Sequence, residues 1–369
     1  MKKSLIALAI ASAVSAPAFA ATSNVDVYGR MAFSVDFADT NESTGDSSDI
    51  VTARDNVSRF GIKGTEDLGG GLSAIWQVEM ALNANNSDKF ATTITTTSGA
   101  SFPISLTLGQ TTLRNTFVGL KSDTLGTVIL GRYDTPYKLA TGVLDIFSDT
   151  AGDYNTIIGT TGNGKTIYDN RAPQTIAYMS PNWTGFSFAA AYVSVKNVEQ
   201  APDNNAEAYS AMGQYANGPF FASLAYETFT GASGGGSTGV LDTEAFKAGF
   251  GFKMDAFKLG LIYEDISDDA SGSAVSRDAY YVNGMYSIGA IDLKAAYGIS
   301  NDGESAADTE FDTYALGVDY NLSKRTKLFG LYSAVQNSTG SKASLSTTGY
   351  AATLGNDVEV FSVGMIHTF

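Results

Sequence analysis

From Val25 onward the chain alternates. Val25, Val27, Met31, Phe33, Val35 and Phe37 share one face of an extended segment, with Gly29 among them. Asp26, Tyr28, Arg30, Ala32, Ser34 and Asp36 share the other. A period of two over thirteen residues predicts a strand with one apolar and one polar face. The pattern recurs and predicts sixteen strands, near 25–37, 51–65, 71–83, 111–121, 126–133, 171–180, 185–195, 207–216, 219–229, 243–254, 256–266, 277–287, 290–299, 310–321, 325–336 and 356–369. Most are about 9–13 residues long, which suits a tilted strand crossing hydrocarbon.

The connections alternate between long and short. Glu66–Gly70, Ser122–Leu125, Pro181–Thr184, Asn217-Gly218 and Asn321–Lys324 are short. Segments 38–50, 84–110, 134–170, 230–242 and 337–355 are long and rich in Gly, Ser, Thr, Asn and Asp. A soluble sandwich has no reason to gather its long loops at one end. A transmembrane barrel does, with short turns and both chain ends on one side of the bilayer. The aromatic positions point the same way. Tyr192, Tyr226, Tyr263, Tyr297 and Tyr332 fall near the ends of odd strands, and Tyr178, Tyr215, Tyr286, Tyr320 and Phe369 near the ends of even ones. They predict two interfacial belts. The fold expected is all-β: a 16-stranded antiparallel transmembrane β-barrel, wide enough for a water-filled lumen.

Composition narrows the function. One histidine, His367, and no cysteine exclude a disulfide scaffold, thiolate zinc and multi-histidine metal sites, so no metal and no cofactor is expected. A net charge of −15 disfavours nucleic acid as a partner. Residues 1–20 read as a signal peptide: Lys2 and Lys3, an apolar run from Leu5 to Val14, and Ala18-Phe19-Ala20 before a cut ahead of Ala21. Its removal takes two lysines and no acid, and leaves residues 21–369 as one barrel domain. No apolar run is long enough for a transmembrane helix.

Four segments carry a resemblance to a known family. They are Tyr28-Gly-Arg30; Ser58-Arg-Phe-Gly-Ile-Lys-Gly-Thr-Glu-Asp-Leu-Gly-Gly70; Arg114–Lys121 with Gly126–Arg132; and the terminal Val363-Gly-Met-Ile-His-Thr-Phe369. Together with the strand and loop pattern they resemble the general (non-specific) porins of the Gram-negative outer membrane. The resemblance implies a homotrimer in the cell outer membrane, in contact with its lipid and lipopolysaccharide. Each barrel would be a channel for passive diffusion of ions and small hydrophilic solutes, and not an enzyme. The third long loop would fold into the lumen and form a constriction. The last strand, ending in Phe369, resembles the signal read by the barrel-assembly machinery, and His367 is read as an outward-facing girdle residue.

In that family basic side chains on the wall face acidic ones on the inserted loop. By parity Arg30, Arg59 and Arg114 point inward, and Arg171 opens the sixth strand; all four match the family's basic cluster. Asp145 and Asp149, on loop 134–170, occupy the place of its acidic pair. Lys63, Arg132 and Asp153 are further candidates for the pore lining. The parity that turns Arg114 inward turns Leu113 and Phe117 outward. Asn115, Phe117 and Gly119 then read as a small, mixed outer face suited to protein contact within the trimer. The alternative function is a porin preferring sugars or oligosaccharides, for which Tyr28 and Tyr281 are the clearest inward aromatics. The acidic mouth favours cations and the basic neck anions, with the balance taken toward cations.

Overall fold

The computed structural model describes residues 23–41, 47–82, 84, 90–95, 101–106, 112–160, 168–194, 207–232, 240–268, 275–301, 308–345, 350 and 352–369. The signal peptide expected over 1–20 lies outside them. Sixteen antiparallel strands close into a barrel. They are β1 (Ser23–Asn41), β2 in two pieces (Ser47–Asp55 and Arg59–Gly69), β3 (Leu72–Ala81), β4 (Thr112–Ser122), β5 (Gly126–Asp134), β6 (Arg171–Met179), β7 (Phe186–Ser194) and β8 (Glu207–Asn217). The circuit continues through β9 (Phe220–Ala232), β10 (Val240–Met254), β11 (Phe257–Asp268), β12 (Val275–Ile288), β13 (Ile291–Ser300), β14 (Phe311–Asn321), β15 (Thr326–Asn337) and β16 (Val358–Thr368). A separate two-stranded ribbon, Phe90–Thr95 with Ser101–Leu106, stands in the second long connection.

Closure is made by β1 against β16, in register from Arg30 opposite Thr368 to Thr40 opposite Val358. At the seam Gly29 and Phe369 exchange both backbone hydrogen bonds at 3.0 Å. Gly29 is required there, because a Cβ would lie 2.4 Å from the Phe369 ring and 2.8 Å from the Arg59 carbonyl oxygen.

Alternation along β1 is as regular as its sequence: Met31, Phe33, Val35 and Phe37 are exposed, while Ala32, Ser34, Asp36 and Ala38 are buried. The apolar face therefore looks out toward lipid, and the polar face lines the interior. Tyrosines ring the long-loop end and are tied to carboxylates just beyond them: Tyr226 donates to Glu244 (2.6 Å), Tyr263 to Asp278 (2.6 Å) and Tyr332 to Glu359 (2.8 Å). Tyr286, Tyr320 and Phe369 stand exposed at the opposite end. His367 lies on the outer face opposite Met31, with its Nδ1 2.9 Å from the Thr326 hydroxyl.

Two expectations are corrected by bulges. Register shifts between Val78 and Met80, where β3 meets β4, so Leu113 and Thr116 take the outer face while Phe117 turns inward. Phe117 packs edge-on against Tyr133 with ring centroids 5.1 Å apart. Asn115 also faces the lumen, where it bonds Asp134 and Arg171. Asn115, Phe117 and Gly119 are thus not an outer contact face. Arg132 is not in the pore lining either. It pairs with Thr116 in a row running through Val27, Ile62 and Val78, and Val27 is exposed on the outer wall.

Two loops fold inward. Described residues of the third, L3 (135–160 and 168–170), carry helix α1 (Pro136–Thr141) and two 3₁₀ turns, Gly142–Leu144 and Tyr154–Thr156. Described residues of the eighth (338–357) do so as well: Ala343, Leu345 and Tyr350 are buried against inward-facing Val335, Val358 and Val360.

Gly29→Val would push a branched side chain into the seam, an overpacking that costs about 1–3 kcal/mol. We expect the folded, fast-migrating band in SDS gels to be lost at a lower temperature than for the unaltered chain.

Candidate functional site: a charged neck inside the barrel

L3 is held against the wall made by β8–β15. Its entry helix is capped by Thr135 and begins with Pro136, whose fixed φ suits a first helical position. The Tyr137 amide donates to Ser210 (2.9 Å), and the Ser223 hydroxyl donates to the Ala140 carbonyl (2.6 Å). Deeper, Glu264 accepts from the Tyr137 hydroxyl and the Gly159 amide, both at 2.7 Å, and pairs with Arg277 at 3.2 Å. Arg277 also donates to the Ile157 carbonyl at 2.7 Å. Lys247 pairs with Asp169, both fully buried, and Tyr154 donates to the same carboxylate. Further round, Asn283 and Lys294 each donate to a loop carbonyl at 2.9 Å, Leu144 and Ile146 respectively. Phe147 is buried where Gly317 leaves room for its ring; a Cβ on Gly317 would approach that ring to 2.7 Å. Lys294 lies 4.5 Å above the same ring.

So fastened, L3 turns its 145–155 segment toward β1, β2, β4 and β6. The half-open cavity between them, about 410 Å³, is lined on the wall side by Arg59, Arg114 and Arg171 and on the loop side by Lys138, Asp145, Asp149 and Asp153. Arg30 and Arg59 stand directly opposite one another in the β1–β2 register. Like charges so placed repel. One oxygen of Asp149 answers both, accepting from Arg30 at 2.5 Å and from Arg59 at 2.9 Å. Arg59 follows the break in β2, where Val57 has φ 59° and Asp55 accepts from the Ser58 amide at 2.6 Å. Asp149 is itself at φ 61°, a left-handed turn that Asp and Asn tolerate better than most residues.

The other guanidiniums have partners on their own wall. Arg114 donates to Glu79 at 2.6 Å, and the second oxygen of Glu79 accepts from Tyr28 at 2.9 Å. Arg171 pairs with Asp134 at 2.8 Å and donates to Asn115 at 2.7 Å. Lys63 stands apart from this group, 5.3 Å over the Tyr28 ring. Tyr281 is buried beneath L3 beside Tyr154 and offers no face to the lumen, while Tyr28 is half-buried with its hydroxyl bound to Glu79.

The three loop acids differ. Asp145 accepts from the Phe147 amide at 2.9 Å and stands under the charges of Asp153 and Asp149. Burial first, then the Asp153 charge, pushes it well above the usual carboxylate range. Asp153 accepts from the Asn155 amide (2.9 Å) and the Asp149 amide (2.8 Å). Burial raises it to about 6, against the pull of those amides. For Asp149 burial also acts upward, but the guanidiniums of Arg59, Arg30 and Arg114 outweigh it and hold its carboxyl below the ordinary value. Among the described residues no group of three or more His, Asp or Glu converges to hold a metal ion.

Sequence parity brought out the arginines but not their wall partners Glu79, Asp134 and Asn115, nor the anchors of L3. Glu79 was legible as an inward residue. Asn115 was hidden by the bulge at Val78–Met80 and Asp134 by a second register shift between Gly131 and Tyr133, and a pair such as Lys247 with Asp169 leaves no local mark.

A closed barrel with an apolar outer band, aromatic girdles and a charged aqueous neck is an outer-membrane diffusion channel. The chain belongs to the Gram-negative porin family, whose model matches residues 7–340. It is 29% identical to an outer membrane porin, protein 32, of Delftia acidovorans over the whole of both chains. It is 25% identical to an outer membrane porin of Bordetella pertussis, covering 91% of this chain and 95% of that one. In fold it is similar to an anion-selective porin from Comamonas acidovorans, with a TM-score of 0.76 and 24% identity over 94% of this chain and 100% of the other. OmpT of Vibrio cholerae in its trimer form gives a TM-score of 0.69 at 17% identity, covering 94% and 99%. The protein is an outer-membrane general diffusion porin.

Lys247→Met would leave Asp169 buried without its cation, a change of about 3–5 kcal/mol in such pairs. We expect L3 to detach from the wall while the barrel persists. Trypsin should then cut after Lys138 in detergent-solubilised protein that resists cleavage when unaltered.

Proposed function

We propose that the neck between L3 and the β1–β6 wall is the constriction of the channel and sets its charge preference. The carrying observation is the Arg30–Asp149–Arg59 bridge, which ties the inserted loop to the wall beside Arg114 and Arg171. Five cations, Lys138 included, meet the carboxyl groups of Asp149, Glu79, Asp134 and Asp153, while Asp145 is held toward its neutral form. Arginine does not lose its proton, so the excess is positive. This favours anions at the neck, against the balance toward cations struck between the acidic mouth and the basic neck. Solutes cross unchanged, and a hydrophilic solute gains by aligning its dipole across the gap. The burial of Tyr281 beneath L3 argues against an aromatic track for sugars. The working unit is a homotrimer seated among outer-membrane lipid and lipopolysaccharide and delivered by the barrel-assembly machinery through the Phe369 strand. The trimer form of the Vibrio relative supports that assembly. Chemical cross-linking of the solubilised protein should stop at three copies; monomers alone would count against it.

Reversal potentials in a salt gradient test the neck. Arg59→Ser with Arg114→Ser should widen it and shift selectivity toward cations. Asp149→Asn, which keeps the left-handed turn, should shift it toward anions, and adding Asp145→Asn should add little. Unchanged potentials in both sets would remove these residues from the constriction.

A pH dependence follows from Asp153. A carboxyl raised to about 6 is mostly ionised at about pH 7.5 and neutral at about pH 5. Acidification across that interval should therefore take negative charge from L3 and move the reversal potential toward anions. Asp153→Asn should flatten the response.

A further inference from the structure

A second cavity, about 570 Å³, lies below L3 on the short-turn side. Its roof is the apolar underside of the loop, Val143, Leu144 and Ile146, and Phe221 adds to it from β9. Val143 is 71% exposed, which is unusual for an apolar side chain on an element so closely fastened elsewhere. Gly251 and Gly260 keep the wall low beneath the loop; a Cβ on Gly251 would come within 2.8 Å of Leu144.

Facing this shelf are two lysines. Lys253 and Lys258 are directly opposite in the β10–β11 register and both line the cavity. Such a pair is unfavourable when no anion lies between. Neither forms an ion pair among the described residues, whereas the nearby Lys294 and Lys327 share Asp319 at 3.1 and 2.7 Å. Asp292, the acid whose charge is felt by Lys258, is taken up by the Ser287 hydroxyl at 2.5 Å and the Asn321 amide at 2.8 Å. Asp255 sits in the turn beyond Lys253 and does not line the cavity.

Val143 lines the neck cavity as well as this one, so a solute passing between them slides over it. We propose that this cavity is a second solute subsite, which takes small amphiphilic carboxylates. The carboxylate would lie between the Lys253 and Lys258 ammoniums and the apolar body against Val143, Ile146 and Phe221. A few charged groups facing an apolar roof is a usual make-up of a small-ligand site. The inference rests on the reading of the neck as the aqueous path, but its residues are separate from those that set charge preference there.

The test is single-channel recording with benzoate added on the short-turn side, acetate as the probe of charge alone and benzyl alcohol as the probe of the apolar body alone. We expect benzoate to reduce conductance saturably at concentrations where neither control does. Lys253→Gln with Lys258→Gln should weaken the effect about tenfold, and Val143→Ser should weaken it too. Lys253→Arg with Lys258→Arg, which keeps both charges, should retain it. Equal block by acetate and benzoate would overturn the subsite, as would a benzoate effect indifferent to the lysines. Loss of the benzoate effect in Arg59→Ser with Arg114→Ser, but not in the lysine variant, would return the binding to the neck. Reversal potentials in the same variants report separately on the neck, so the two readings can fail independently.

Discussion

Hydrocarbon accepts no hydrogen bonds, and a backbone crossing it must satisfy every amide and carbonyl within the protein. For a chain whose apolar residues alternate, only a closed ring of strands does so, and the ring must close without an exposed edge. Here that condition falls on β1 and β16, and finally on the two hydrogen bonds between Gly29 and Phe369. Everything else is subordinate to it. Closure at sixteen strands leaves an interior too wide for wall side chains to fill. The inner face must therefore be polar, and any selectivity must come from something placed in the middle.

L3 occupies that middle, and it is held in two different ways. Against β8–β15 it is fixed by contacts shut away from water: Lys247 with Asp169, Glu264 with Arg277, and carbonyls of the loop capped by wall amides and ammoniums. Buried ion pairs of this kind contribute little net stability but tolerate few alternatives, so they define position. Across the lumen the loop meets the wall through half-wet groups, Asp149 between two arginines. Rigid dry anchoring on one side allows charged groups on the other to remain near water without collapsing onto each other.

Much of this was legible in the chain itself, for a physical reason. Lipid on one side and water on the other impose period two on every strand, so strand count and the inward direction of Arg30 and Arg59 follow from parity alone. Parity fails where the ladder carries an extra residue. The bulge opposite Val78–Met80 reversed Phe117 and brought Asn115 to the lumen, and register carried Arg132 to the outer wall. Asp145 was placed with Asp149 because they are four apart on one loop, but the turn at Phe147–Thr150 separates their surroundings. The anchors of L3 depend on strands far apart in sequence meeting one face of a loop, which no local pattern encodes.

The seam has a consequence for how the molecule comes into being. Its first strand keeps one open edge until β16 arrives, because the partner of Gly29 is Phe369. Local hairpins form early and independently, but the contact that finishes the ring has the longest separation in the chain, and such contacts are the slow ones. Throughout that interval two unpaired edges are available to any passing strand. Completion is thus a single late event that requires both edge strands: a chain cut short of Phe369 has nothing to meet Gly29, and its first edge remains open.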